Sequence, residues 1–260
     1  MGEQPSYVIL GRGRWAGRMQ SILVAENRLV LSIPEARRLH AETDNHYTAR
    51  LAQSMRSTGA QIAWLCVLPG PHIPLLVNAG LDAGLHVVVE KPWQNPRLIT
   101  ETLAARARQL RRVVAIHFEY CLLSEVERWR RDFYPGTGLR FGGRFLLSRA
   151  DHMGMSALEN LGSHLLAIRA YAAPESIVQE VRCGYEQADQ RCAWLERRNT
   201  RVAFIDLLAS KERIIQRYIA KLEASTRTAD FPFGLDFALR VARDTASLSG
   251  SDQSPHGNVE

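Results

Sequence analysis

The stretch Val8–Met19, VILGRGRWAGRM, restricts the fold of this chain more than any other. Tyr7–Leu10 is an unbroken apolar run, as a strand buried on both faces requires. Trp15–Val24 repeats its apolar residues at helical spacing. Between them, Gly11, Gly13 and Ala16 fill the three small-residue positions of the dinucleotide-binding fingerprint. Gly11 permits a sharp turn, Gly13 lets the backbone approach a pyrophosphate, and Ala16 lets the helix pack tightly on the strand. The helix start would then offer free N–H groups and the positive end of its dipole to the phosphates. Arg14 and Trp15 complete this candidate cofactor loop. A glycine-rich surface turn is the alternative, and the order of strand, turn and helix argues against it.

The alternation continues. Arg28–Ser32 predicts a second strand that ends at Ser32-Ile33-Pro34 with no acid at its tip. A fold of this kind that prefers NAD carries an acid about 20 residues past the glycines, on the ribose hydroxyls. Here Arg37 and Arg38 follow instead. A serine hydroxyl and a guanidinium would bind a 2′-phosphate that a carboxylate repels, which favours NADP over NAD. The alternative is that Glu35 does the acid's work and the arginines are helix surface. Ala36–Arg56 is polar and helical with a break near Thr43-Asp44-Asn45, too short for a full strand and helix, so a strand is reduced or missing there. Gln61–Leu68 predicts a buried parallel strand, Pro69-Gly70-Pro71-His72 a turn, and Ile73–Ala83 a helix closed by Gly84. His86–Val89 is a strand leading to Glu90-Lys91-Pro92, Arg97–Leu110 a basic amphipathic helix, and Val113–Phe118 another strand. Residues 1–121 therefore read as a doubly wound parallel sheet in an α/β domain.

Beyond residue 121 the pattern changes. Ser124–Phe133 and Ser156–Tyr171 are helical, and Arg140–Ser148 alternates as a half-buried strand does. Ile177–Tyr185, Cys192–Arg197, Arg201–Leu208 and Glu212–Ile219 predict four further strands in antiparallel succession, and Phe233–Leu248 a closing helix. Residues 122–248 thus read as an α+β domain with an open, mostly antiparallel sheet of about five strands. Residues 249–260 are polar, carry Gly, Ser and Pro, and are expected to be a disordered tail.

Composition narrows the function classes. The net charge of +6 is spread along helices among acids, as in residues 106–112 and 127–132, which suits solvated faces better than a nucleic-acid surface. No run of about 18 apolar residues predicts a membrane span, and no basic segment precedes the first apolar run as in a signal peptide. Cys66, Cys121, Cys183 and Cys192 are far apart, so neither a metal site nor a disulfide framework is expected, and a cytoplasmic location fits.

The run Ala83-Gly84-Leu85-His86-Val87-Val88-Val89-Glu90-Lys91-Pro92 resembles the glucose–fructose oxidoreductase / inositol dehydrogenase / MocA family. That family has an AG-x-H-V-x-x-E-K-P signature after a P-x-x(x)-H turn, matched here by Pro69 to His72. The opening GRGRWAG is similar to its G-x-G-x-W-G start, with Ala16 inserted before Gly17. Asn160-Leu161-Gly162-Ser163-His164 is similar to its D-x-G-x-H helix, with asparagine in the aspartate's place. The resemblance implies an N-terminal Rossmann domain, a second domain with an open sheet, and a compact form of the family, since the chain is short.

It also implies roles. Lys91 maps to the lysine beside the nicotinamide and the reacting carbon, and His164 to the general acid/base. Asn160 would orient His164 from the same helix face without supplying charge, which favours reduction over alcohol oxidation. Glu90 reads as a positioning residue, His72 and Pro69 as lining the pyrophosphate or ribose crevice, and Trp15 as covering the cofactor. Pro92 stiffens the turn behind Lys91. Tyr120 is open between contacting substrate and packing at a hinge, and Asp151 and His152 between substrate contact and plain loop. The implied function is an NADP- or NAD-dependent oxidoreductase acting on a C=O/C–OH or C=N bond of a small molecule, as a biosynthetic reductase or a sugar or cyclitol dehydrogenase. The rival is a catalytically weakened nucleotide-binding scaffold or sensor. A homodimer or homotetramer through the C-terminal sheet is expected, to cover an apolar face.

Overall fold

Four apolar runs and one weaker one become a five-stranded parallel sheet in the order β2-β1-β3-β4-β5, in a computed structural model that describes residues 4–33, 38–92, 101–133, 137–148, 155–198, 200–207 and 211–251. The strands are β1 (Tyr7–Leu10), β2 (Val30–Ile33), β3 (Ile62–Leu65), β4 (His86–Val89) and β5 (Val114–Ile116). The side chains of β1, β3, β4 and β5 are buried, as crossover helices on both faces require. Those helices are α1 (Arg14–Ala25), α2 (Asp44–Arg56), α3 (Ile73–Asp82) and α4 (Glu101–Gln109). The break read near residues 43–45 is the N-cap of α2, where Thr43 Oγ1 accepts from the His46 amide at 3.3 Å. No further strand lies between β2 and β3 among the described residues.

The second sheet has four strands in the order β7-β6-β8-β9: β6 (Leu139–Leu147), β7 (Ile177–Tyr185), β8 (Gln190–Arg197) and β9 (Thr200–Asp206). It is preceded by α5 (Ser124–Phe133), and α6 (Ser163–Ala172) lies between β6 and β7 in sequence. β6 and β7 are parallel, and α6 lies in the crossover that a parallel pair needs. The β6–β8 and β8–β9 pairs are antiparallel.

Two expectations need correction. Glu212–Ile219 is not a fifth strand but part of the helix α7 (Lys211–Ser225). Its Ile214-Ile215 pair suggests β-structure, yet Ile214, Ile215, Tyr218, Ile219 and Leu222 are all buried at helical spacing. Residues 249–251 are the last turn of α8 (Leu235–Ser251) rather than tail.

The chain packs as two units, and the division is not the one read from sequence. Residues up to Glu119 group with Lys211–Ala238, and Tyr120–Ser210 with the residues from Leu239 on. The cause is α7. Tyr218 Oη donates to the Ile116 carbonyl at 2.9 Å, and Glu223 accepts from Tyr7 Oη at 2.8 Å and from Arg28 Nε at 2.7 Å. Gly234 also bridges to Ala115, beside β5. A segment distant in sequence thus completes the parallel-sheet unit.

The face of the second sheet turned away from α6 mixes charged and apolar side chains. Gly143 faces Leu165 of α6, so its neighbours in alternate register, Arg140 and Arg144, point the other way. Arg144 pairs with Glu180 at 2.8 Å there, beside Trp194 and a half-exposed Phe204. Among the described residues no helix is long and apolar enough to cross a membrane.

Candidate functional site

The site features divide between the two units, and each is described within its own. In the parallel-sheet unit the loop between β1 and α1 takes the predicted form. Gly11 has φ +124°, a conformation L side chains rarely adopt, and a Cβ there would run into the Cys66 carbonyl at the end of β3. That close approach accompanies the hydrogen bond from the Cys66 amide to the Leu10 carbonyl at 2.8 Å. Gly13 is the opposite case: it is exposed, and nothing lies within 4 Å of where its Cβ would be. It is the N-cap of α1, with no side-chain cap and no acid in the first turn. The first amides of a 12-residue helix therefore have no capping side chain, at the carboxyl edge where open parallel sheets bind ligands. Ala16 is buried and Arg14 is exposed. These residues fit a dinucleotide pyrophosphate.

Ser32 is exposed at the end of β2. Arg38 is engaged elsewhere than expected of a phosphate ligand: Nε donates to the Glu42 carbonyl at 2.7 Å and Nη1 pairs with Asp44 at 2.7 Å. Arg37 and Glu35 lie outside the described residues, as do Asp151 and His152. Pro69 is half-buried in the turn after β3. His72 is the N-cap of α3, and burial pushes its imidazole below its ordinary pKa.

Lys91, half-buried, follows β4 by two residues at the same sheet edge, before a cis peptide to the buried Pro92. Glu90 beside it is the centre of a cluster the sequence did not reveal. Its Oε1 accepts from Trp64 Nε1 at 2.8 Å, and His117 Nδ1 lies 3.2 and 3.3 Å from its two oxygens. Burial alone would raise this carboxyl. The charge and hydrogen bond of His117, with the indoles of Trp15 and Trp64, outweigh that and hold it below the usual carboxylate range. The His117 ring is enclosed by Trp15 at 5.8 Å, Trp64 at 5.1 Å and Tyr218 of α7 at 4.7 Å. His117 sits one residue beyond β5 in an otherwise apolar run, which is the signal that could have found it.

His86, from the same signature, has a structural task. Its Nδ1 accepts from the Val113 amide at 3.0 Å, tying β4 to the start of β5. Burial, then the charge of Arg112, pushes its pKa down to about 4.

In the second unit, the predicted helix over 156–171 begins with a capping box, in which Ser156 Oγ accepts from the Glu159 amide at 3.2 Å and Glu159 accepts from the Ser156 amide at 2.9 Å. It then winds as a π turn, Leu158–Gly162, before α6 starts at Ser163. Such turns recur at functional sites. The looser winding alters the simple four-residue stacking of Asn160 and His164 expected of an uninterrupted α-helix. Asn160 Nδ2 donates to Tyr185 Oη on β7 at 2.9 Å. His164 is 4% exposed, stacked on Phe145 at 5.4 Å and met edge-on by Tyr120 at 4.8 Å. Tyr120 is itself 2% exposed and packs on Phe145 as well, which favours the packing role left open for it.

No protein-family model matches the chain, and no curated protein matches it. Solved structures do. The chain is similar to UDP-N-acetylglucosamine 3-dehydrogenase GnnA from Acidithiobacillus ferrooxidans, at 11% identity and a TM-score of 0.73, over 95% of this chain and 97% of that one. It is similar to the WlbA (WbpB) dehydrogenase from Thermus thermophilus, solved with NAD and alpha-ketoglutarate, at 14% identity and a TM-score of 0.70, over 98% and 97%. It is also similar to myo-inositol 2-dehydrogenase from Lactobacillus plantarum, at 11% identity and a TM-score of 0.70, over 96% and 97%. The likeness runs through both units. Over nearly its whole length the chain has the fold of the glucose–fructose oxidoreductase / inositol dehydrogenase / MocA oxidoreductases.

Proposed function

We propose that this chain is a nicotinamide-dependent oxidoreductase that moves hydride to or from a C=O/C–OH or C=N carbon of a small molecule. The observation that carries the reading is the loop after β1, where Gly11 excludes any side chain and the space over Gly13 is open. Gly11, Gly13 and the first turn of α1 would hold the pyrophosphate, with Arg14 exposed beside them. The nicotinamide ring, when bound, supplies or accepts the hydride. Lys91 is assigned to hydrogen-bond the reacting oxygen or nitrogen and hold the negative charge that develops there. His164 is assigned to give that atom its proton, or to take it in the reverse direction. Asn160, whose Nδ2 donates to Tyr185 Oη, supplies no charge to His164, which favours reduction.

Dehydrogenases of a UDP-amino sugar and of inositol share the fold, which supports a sugar, sugar nucleotide or cyclitol carbonyl as the substrate class. The exposed Ser32 hydroxyl supports NADPH; the commitment of Arg38 to Asp44, and the NAD bound to the WlbA enzyme, support NAD. Self-association through the second sheet is proposed on the exposed Ile177 and Phe204, with sedimentation velocity as its test.

A second reading is a protein that binds the nucleotide without turnover, favoured by Asn160 in the aspartate's place. Titration with NADH and NADPH, followed by nicotinamide fluorescence, comes first. Binding followed by turnover in a screen of carbonyl and imine substrates supports the enzyme. Binding without turnover supports the scaffold, and binding of neither overturns both.

A further inference from the structure

Glu90, Trp64, His117, Trp15 and Tyr218 form one cluster in the parallel-sheet unit, with Trp64, His117 and Tyr218 buried and Glu90 and Trp15 half-buried, and it is larger than a lysine-positioning role for Glu90 requires. Its members come from the ends of β3 and β4, the residue just past β5, the second residue of α1, and α7. His117 is 1% exposed and joins the cluster twice. Its Nδ1 meets both Glu90 oxygens, at 3.2 and 3.3 Å, and its ring lies 5.8 Å from Trp15 at an interplanar angle of 33°. Trp15 stands two positions after Gly13, where α1 begins. It is the side chain nearest in sequence to the open glycine that can fix the angle at which α1 leaves the loop. The guanidinium of Arg18, one turn on, lies 5.9 Å from the centre of the Trp15 ring.

We propose that His117 is a positioning residue for the cofactor loop: anchored by Glu90, its ring is the wall against which Trp15 sets the first turn of α1. The inference rests on the cofactor reading above and adds a residue outside the fingerprint and outside the E-K-P signature. Its physical basis is ordinary. A buried carboxylate is stable only when it is hydrogen-bonded, so Glu90 fixes the imidazole as firmly as the imidazole fixes Glu90. An imidazole fixed at one nitrogen has a fixed plane, and aromatic contacts have preferred geometries. Trp64 and Tyr218 also meet the ring, each edge-on, at 5.1 and 4.7 Å.

The test is NADH titration and thermal melting of the full chain as wild type, His117→Ala, Trp15→Ala, the pair of both, and His117→Phe combined with Glu90→Gln. The last variant keeps an aromatic wall and removes the buried charge. His117→Ala is expected to weaken NADH binding about tenfold, the scale of losing one well-placed aromatic contact. In the Trp15→Ala background the same substitution is expected to change the Kd by less than about twofold, because its effect runs through Trp15. The Phe/Gln pair, with an aromatic ring but no anchored nitrogen, is expected to bind about threefold more tightly than His117→Ala and to stay weaker than wild type. A merely structural histidine would lower the melting temperature in all backgrounds and leave the Kd of the folded fraction alone. Wild-type affinity in His117→Ala, an additive loss with Trp15→Ala, or no recovery in the Phe/Gln pair overturns the inference while the cofactor reading stands. If wild type binds neither NADH nor NADPH, the cofactor reading fails and the inference falls with it. If His117→Ala does not fold, the Phe/Gln pair decides.

Discussion

The loop after β1 and the helix carrying His164 both depend on glycines, and they use them differently. Gly11 lies inside the loop it shapes, and its contact with Cys66 follows from the pairing of β1 with β3. Around His164, two of the glycines that make room are remote from the histidine, and Gly162 meets a remote strand. Gly143 of β6 leaves space for Leu165, the next residue of α6, and Gly142 leaves space for the Trp194 indole on the other face. A Cβ on Gly162 would come within 2.6 Å of Leu158 and 3.3 Å of Cys183 of β7. The imidazole then meets Phe145 and Tyr120 from two further segments. One site is written in a dozen consecutive residues; the other exists only once β6, β7 and α6 have packed. The first leaves open space above its glycine, and the second leaves a histidine 4% exposed between rings. That second geometry is also what a packed core histidine has, so variants of the two regions are the way to separate chemistry from packing.

The largest effects are expected from Lys91→Ala and His164→Ala. Each should lower turnover by about 10²-fold or more, as loss of a general acid or of charge stabilisation does, with NADH affinity within about threefold for His164→Ala. Initial rates against the substrate found by screening check this. A rate loss in His164→Ala no larger than its loss of folded protein would mark the residue as core alone. Gly11→Ala should cost about 3 kcal/mol or more, since it forces both a strained φ and a backbone clash. Gly13→Ala should leave stability within about 0.5 kcal/mol, yet weaken NADH binding about tenfold. Urea unfolding beside NADH titration separates the two glycines, and equal stability losses would refute the assignment of Gly13 to the ligand side.

In the second unit Gly143→Ala should cost about 1–3 kcal/mol by overpacking against Leu165, with no effect on NADH binding. A smaller effect is expected at His86. Its folded pKa of about 4 lies below the ordinary 6.5, so the unfolded chain takes up its proton first as the pH falls. Its contribution is complete above about pH 6.5 and is lost as the pH falls towards 4, amounting to about 1–2 kcal/mol after allowance for solvent screening. Urea midpoints at pH 7 and pH 5 should differ by more in wild type than in His86→Gln, and identical shifts would exclude it. The smallest effect is at Arg38→Ala, an exposed pair worth under about 1 kcal/mol, where NADPH affinity is the informative reading.

Much of the parallel-sheet unit was legible in the residues. Buried parallel strands are continuous apolar runs, so Tyr7–Leu10 and His86–Val89 announce themselves, and Gly11 is dictated by a local conformation that only glycine adopts freely. The E-K-P turn and the Asn160–His164 helix were legible as motifs, though not the π turn between them or the Tyr185 partner of Asn160. Ile214-Ile215 misled because two β-branched neighbours fit a strand as well as one stripe of a helix, and only the surface they are buried against distinguishes the two.

By itself, the sequence determined what depends on neighbours along the chain: the strand–turn–helix order, the glycine conformation, the absence of an acid at the tip of β2 and the identity of the titratable side chains. The tertiary structure alone decided that α7 returns to the first unit, that His117 closes on Glu90, that Arg38 pairs with Asp44 and that α6 lies over the glycines of β6. The reason is physical. A backbone conformation is set by steric limits within a few residues, whereas the partner of a buried charge or ring is whichever group the packing of distant segments delivers to it.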